Sequence, residues 1–428
     1  MGTNYTFPFS KSRVYSAISL IYIAQGILYF LSLTALPAFF GLYPHIFTIT
    51  QQNIFIAIAK AAPIVKIGYG FIADRTLNRT NTHPFIATNL GFFAITLICT
   101  VVLYFSEENP LFFLFIFALL FLMIAFFDAI IDAISVRFSA HDNRIGLVAL
   151  MNISYSVGGM IASVCYMILP KGDPAAWFSF VKQTATLGII CITGLVPLLI
   201  LAQRTHFPTE KMSTAQPIQP ADHPPTNALE LTEIRISKHV YIKIAGMMMV
   251  LLFLANIDAL VEITTEKWMV QKFGEQGFST ITQFTLLFGL PIKIAVLVLL
   301  FVFRAKINGK EIPILYGCAF SLAGYWLALS FVDFQTVLAL IVLSMIAGAL
   351  LIVSISGLMM KFVPKKRAGA GYQLFTVWYN IPLMVLPVAG NSLYGIIGHE
   401  PLFLSIAVVI LALIIPLLRR LDKTYARR

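Results

Sequence analysis

The chain has 428 residues, 59% of them hydrophobic and only 11% charged, with a mean hydropathy of +0.86. An ordinary soluble domain carries about 25% charged residues, so a soluble enzyme and a disordered chain are both excluded. The net charge of +11 invites a nucleic-acid reading, but membrane proteins gather Lys and Arg on one side of the bilayer, and where the charges sit decides between the two.

A bilayer core takes about 20 apolar residues per helix, and twelve such runs predict spans near 15–40, 52–74, 85–105, 110–137, 145–169, 182–203, 239–266, 280–304, 312–331, 335–360, 369–394 and 401–420. Residues 1–14 are a polar N-terminal segment, and the run after them is longer than the apolar stretch of a signal peptide. The spans divide into a first bundle of six over 15–203 and a second over 239–420. Residues 204–238, rich in Pro, Thr and charge, link the two, and a tail covers 421–428. Most of the 30 Lys and Arg fall on the side of the termini and the linker, while the outer connections hold only Lys171, Lys182, Lys267 and Lys272. Both termini are therefore expected in the cytoplasm, in a plasma or inner membrane, and the net charge is a topology signal. The fold class expected is an all-α membrane protein of twelve helices in two pseudo-symmetric six-helix bundles.

Span 1 offers Gln25 and Tyr29 as polar groups inside an apolar run. Span 2 carries Lys60 near its middle and Lys66 about 12 Å from Asp74, at 1.5 Å per residue. It ends Gly70-Phe71-Ile72-Ala73-Asp74-Arg75. Here Gly70 would let a neighbouring helix come close, and Asp74 would accept from a helix N-terminus or pair with a cation such as Arg137 at the end of span 4. Span 4 places Asp128 and Asp132 one turn apart on a shared face. Two carboxylates on one stripe cannot both ionise cheaply in low dielectric. Two readings stand: Lys66 pairs with one while the other takes a proton and couples transport to it, or a fixed salt bridge ties spans 2 and 4.

Span 5 adds Asn152 and Tyr155. Span 7 carries Asp258, Glu262 and Glu266 at four-residue steps, an acidic stripe on one helical face if the helix is continuous. Asp258 is then a third proton-coupling candidate, or the mark of an early helix end. Span 8 sets Lys293 near mid-membrane, and Pro291-Ile292-Lys293 faintly repeats Pro63-Ile64-Val65-Lys66. Span 11 adds Tyr372, Gln373 and Asn380. Lys60, Lys66 and Lys293 would favour a carboxylate- or phosphate-bearing solute, with Gln25, Tyr29, Asn152, Tyr155, Tyr372, Gln373 and Asn380 orienting it. The 36 Phe read as mostly lipid-facing bulk, and the four Cys, all in apolar runs, as small core residues.

Six helices, a long cytoplasmic loop and six more helices, with Gly-x-x-x-Asp-Arg closing span 2, resemble the major facilitator superfamily, although Leu77 and Asn78 stand where its loop usually has glycine and a basic residue. Tyr22-Ile23-Ala24-Gln25-Gly26 in span 1, Lys66 eight residues before Asp74, and Asp128-Ala129-Ile130-Ile131-Asp132 in span 4 are similar to two branches of it. One holds the peptide/acetyl-coenzyme A transporters, with the AmpG-type muropeptide permeases and siderophore permeases. The other holds the folate-biopterin transporters. The resemblance implies alternating access and a mid-sized polar, anionic substrate such as a siderophore, muropeptide or folate/pterin, taken up with protons. Two other classes remain open, an exporter of drugs or metabolites and a non-transport membrane assembly factor. No P-loop, nucleophile–base pair or intramembrane His cluster appears. The expected partners are a small-molecule substrate, protons and the lipid bilayer, with no cofactor, no metal and no nucleic acid, and the chain is expected to be monomeric and not an enzyme.

Overall fold

The structure, a computed structural model, describes residues 11–36, 39–40, 46–79, 83–106, 109–139, 144–167, 173–193, 238–331 and 333–426. Apart from Lys238, the expected linker lies outside the described residues. Helices α1 (Lys11–Phe30), α2 (Ile49–Leu77), α3 (His83–Tyr104), α4 (Pro110–Phe138), α5 (Arg144–Met167) and α6 (Pro174–Ile192) make up the first part of the chain. The second part holds α7 (Lys238–Leu254), α8 (Glu262–Phe284), α9 (Leu290–Val302), α10 (Glu311–Leu329), α11 (Phe334–Phe362), α12 (Ala368–Ile397), α13 (His399–Val409) and α14 (Ile415–Ala426). Single π turns at Leu31–Ala35, Thr285–Gly289 and Ile410–Ile414 extend or join these helices.

Nine helices among the described residues are long and apolar enough to cross a membrane. Helices α1, α2 and α12 carry the polar residues Tyr22, Gln25, Lys66, Asp74, Tyr372 and Gln373.

The expected ends hold within a few residues for most spans, and two expectations are corrected. Asp173 caps α6 through the amide of Ala175 (2.9 Å), with Pro174 as the first helical residue, so span 6 begins well before 182. Lys182 therefore sits inside the helix, buried, with its ammonium 5.4 Å from the Tyr104 ring centroid, rather than in an outer connection. Span 7 is not continuous. Helix α7 ends at Leu254, a 3₁₀ turn covers Ile257–Val261, and α8 resumes at Glu262 and bends at Gly274, where φ is +72°. Asp258 thus lies in the turn, and the expected stripe is broken; the side chains of Glu262, Glu266 and Lys267 lie outside the described residues. The cause is tertiary, because the Asn256 side-chain amide donates to the Tyr379 carbonyl of α12 (2.6 Å) instead of sitting on a regular helix.

Helix α4 is enclosed by α1, α2, α3 and α12. Phe113, Phe117, Phe126, Phe127 and Phe138 on it are fully buried, which corrects the lipid-facing reading for these rings. Cys99 and Cys318 are buried, Cys165 and Cys191 half-buried, and all four are free thiols. Helices α1 and α5 cross tightly: a Cβ on Gly26 would stand 2.1 Å from the Tyr155 carbonyl oxygen, and one on Gly158 2.1 Å from that of Ile23. The two parts of the chain meet where α12 packs on α2 and α4, and where α9 and α11 pack on α5.

Candidate functional site: a buried ionic cluster above a closed end

One face of α1 carries Tyr22, Gln25 and Tyr29, spaced three and four apart, and it runs along α4 at Asp132, Asp128 and Phe121. The Tyr22 hydroxyl donates to Asp132 Oδ1, and Gln25 Nε2 donates to Asp128 Oδ2 at 2.9 Å. The Lys66 ammonium, from α2, donates to the same Asp128 oxygen and forms an ion pair with it. It lies 6.0 Å from the Tyr29 ring centroid, and Tyr29 in turn meets Tyr155 at 5.9 Å. From α12, Gln373 Nε2 donates to Asp132 Oδ2 at 2.8 Å. Tyr372, beside it, is within electrostatic reach of Asp132. Lys66, Asp128, Asp132 and Gln373 are all at most 3% exposed.

The charges do not balance. Two carboxylates share one ammonium, and that ammonium is committed to Asp128, so among the described residues Asp132 is held by the neutral donors Tyr22 and Gln373. Three buried acceptors in the same cluster, Gln25 Oε1, Asp128 Oδ1 and Gln373 Oε1, receive no hydrogen bond from the protein. An unpaired charge in low dielectric is costly, so the cluster is short of one positive charge and of donors.

One end of the bundle is closed just beyond this cluster. Asp74 Oδ1 and Oδ2 accept from the backbone amides of Gly369 and Ala370, each at 2.8 Å, so α2 supplies the carboxylate for the first turn of α12. Unpaired amides and the helix dipole make that turn a natural anion site. A Cβ on Gly369 would sit 2.5 Å from the Gly70 carbonyl oxygen, and one on Gly70 2.7 Å from the Gly369 carbonyl carbon; the close approach needs both glycines. Arg137 stands 3.7 Å from Asp74 and donates to the Leu77 carbonyl (3.1 Å) and Asn78 Oδ1 (2.9 Å). Asn78 Nδ2 donates across to the Lys366 carbonyl at 2.8 Å. Arg75 is exposed and takes no visible part. Leu77 and Asn78, the two departures from the family loop, are used as a carbonyl and a side-chain bridge.

A second tie lies on α5. Glu311, in the first turn of α10, is 1% exposed and 3.7 Å from Arg144 Nη2, an ion pair without a hydrogen bond. The Arg304 side chain lies on Gly146, whose added Cβ would be 2.3 Å from Arg304 Cδ. Neither Arg144, Glu311, Tyr22 nor Asn78 is a site candidate from sequence, although Tyr22 belongs to the span 1 motif and Asn78 is a departure in the loop after span 2. The readable signal was a lone Glu opening an apolar run at 311, and a Tyr three residues before Gln25.

Other expected site residues do not join the cluster. Asn152 and Asn380 donate to the carbonyls of Val148 (2.9 Å) and Thr376 (2.7 Å), bonds within their own helices. Lys293 shares a face of α9 with buried Leu297 and Leu300, is half-buried, and has no ion-pair partner among the described residues. Asp258 lines a separate, mostly apolar crevice with Leu254, Trp326 and Ile414, near the Tyr325 and Tyr379 hydroxyls. The Lys60 side chain lies outside the described residues. Among those residues, no group of three His, Cys, Asp or Glu is placed to hold a metal ion.

No protein-family model and no curated protein sequence matches the chain. Solved structures do. A bacterial homologue of the iron transporter ferroportin, in an outward-facing state, aligns over 97% of this chain and 100% of its own, at 14% identity and a TM-score of 0.63. The transporter FucP of the major facilitator superfamily, in the outward conformation, aligns over 97% and 99%, at 15% identity and a TM-score of 0.62. The human organic anion transporter MFSD10 aligns over 95% and 99%, at 13% identity and a TM-score of 0.56. The chain therefore has the major facilitator fold and is an integral, multi-pass membrane protein.

Proposed function

We propose that the chain is a secondary transporter that moves a mid-sized polar organic anion by alternating access, driven by protons and in the direction of uptake. The observation that carries this reading is the buried Lys66–Asp128–Asp132 cluster, which sits between α1, α2, α4 and α12 just above an end held shut by Asp74. Ionisable groups inside a membrane are expensive and mark ion and substrate paths, and a cluster spanning the two parts of the chain is placed to sense their separation. Residues 15–203 and 239–420 act as the two moving bundles, joined by 204–238, with both termini in the cytoplasm; the Asp74 end is then the cytoplasmic gate and the conformer is outward-facing. Lys293, a half-buried cation with no ion-pair partner among the described residues, supports an anionic substrate, with Lys66, Tyr29 and Tyr155 as the candidates from the first bundle. An organic anion is in keeping with one structural neighbour, described as an organic anion transporter, and proton coupling with another, described as a fucose:proton symporter. Siderophores, muropeptides and folates or pterins are the candidates that the sequence resemblance adds.

The test is a thermal-shift screen of the purified protein at two pH values against those compounds, followed by uptake into proteoliposomes with and without an imposed pH gradient. The expected result is a stabilising compound whose uptake needs the gradient and is abolished by Lys66→Ala and by Asp128→Asn. Accumulation of cationic drugs in the opposite direction would replace this reading with export. No stabilising compound, with unchanged stability in Asp128→Asn, would replace it with a structural role in membrane assembly.

A further inference from the structure

We infer that the closed conformer carries one proton, that it resides on Asp132, and that Gln373 is the residue through which α12 holds it there. This deepens the proton-coupled reading above and rests on it. Four observations converge. The cluster contains two carboxylates and one ammonium, so it is one positive charge short. Both the Lys66 ammonium and the Gln25 amide are spent on the same oxygen of Asp128, which fixes Asp128 as the ionised partner. Asp132 is 2% exposed and has no cation of its own among the described residues. Finally, the unmatched atoms of the residues that bond Asp128 and Asp132, and of Asp128 itself, are acceptors, Gln25 Oε1, Asp128 Oδ1 and Gln373 Oε1, which points to a missing proton rather than to a missing acceptor. A proton on Asp132 turns it into a donor, and Gln373, rotated about its amide, offers an oxygen to receive it.

The groups facing Asp132 leave no other site for that proton. Tyr22 of α1 is a neutral donor, Lys66 of α2 is already charged, and Asp128 on α4 itself is neutralised by Lys66. Tyr372 and Gln373 come from α12, and α3 brings Phe92 against Phe126 rather than an ionisable group. Opening the Asp74 end separates α12 from α4, removes Gln373 and admits water. A hydrated Asp carboxyl ionises near pH 4, so the proton leaves to the solvent on that side. Acid therefore favours closure of the Asp74 end, and alkali favours its opening.

The experiment is infrared difference spectroscopy on the full-length protein in lipid, titrated through neutral pH, reading the carbonyl stretch of a protonated carboxylic acid. Expected is a band in the wild type that Asp132→Asn lacks, that Asp128→Asn weakens because Lys66 is then free to balance Asp132, and that Gln373→Leu retains at a shifted frequency because a hydrogen bond to the acid is lost. Asp132→Glu, which keeps the acid, should restore a band and so separates loss of the proton from loss of the fold. A wild type without the band, or a band that survives Asp132→Asn, overturns the inference. If the band is absent while pH-driven uptake persists, the assignment to Asp132 fails and transport stands. If the band is present while no compound is transported, the transport reading is what fails.

Discussion

Lys66 and Asp128 illustrate how differently a charge behaves alone and in a pair inside the membrane. Each is at most 3% exposed, and each is tolerable only because the other is there. Removing one partner of a buried pair strands the other and costs roughly 3–5 kcal/mol, whereas replacing both by apolar groups of similar volume is often neutral. Lys66→Met and Asp128→Leu are each expected to lower the thermal unfolding temperature of the purified protein markedly, and the double variant to recover most of the loss while remaining inactive. Equal and additive losses would mean that the pair is solvated and its ion pairing contributes little. Two lysines with the same sequence prominence have different surroundings. Lys66 meets a carboxylate, but Lys293 has no ion-pair partner among the described residues, a distinction that no spacing along one helix could reveal because the answer lies on a different helix.

At the level of elements, the first two turns of α12 are the most constrained segment of the interface. The first turn is capped by Asp74 from α2, and the second is held through Gln373 by Asp132 from α4. Hydrogen bonds to a charged acceptor contribute roughly 1.5–3 kcal/mol each. Asp74→Ala should therefore speed amide hydrogen exchange over residues 368–374 by at least about tenfold, with the interior of α4 unchanged as the control. Uniform acceleration across the protein would show a folding defect instead of a local release. Gly369→Val should produce the same local loss by a steric route, since its Cβ would meet the Gly70 carbonyl. Much of this was legible in the sequence: the helix ends of α3, α4, α5, α11 and α12, the pairing of Lys66 with a span 4 carboxylate, and Asp74 reaching a helix N-terminus. What was not legible has a common physical origin in contacts between distant segments. The break before Asp258 depends on Asn256 finding a carbonyl in α12, and the burial of five Phe on α4 depends on four surrounding helices. The early start of α6 is the exception, because the Asp173-Pro174 cap was readable and hydropathy alone concealed it.

For the molecule as a whole, two of the ties that close the Asp74 end lie on different helices and use different chemistry. One is the Asp74 carboxylate on the α12 amides; the other is the Arg144–Glu311 ion pair beside the contact of Arg304 with Gly146. If the two parts of the chain separate as bodies, both ties must break together, and each contributes to the same closed–open equilibrium. Interactions that share no partner usually add within about 0.5 kcal/mol. Asp74→Asn and Glu311→Gln should each raise the open population, and the double variant should shift the equilibrium by the sum of the two free energies. The populations are read from the distance distribution between spin labels at the exposed positions Arg75 and Asn308. Glu311 is the more informative of the pair, because neutralising it leaves Arg144 facing an amide in a site almost closed to solvent. A double variant no more open than Asp74→Asn alone would mean that the α12 contact is the sole gate and that Glu311 only anchors α10.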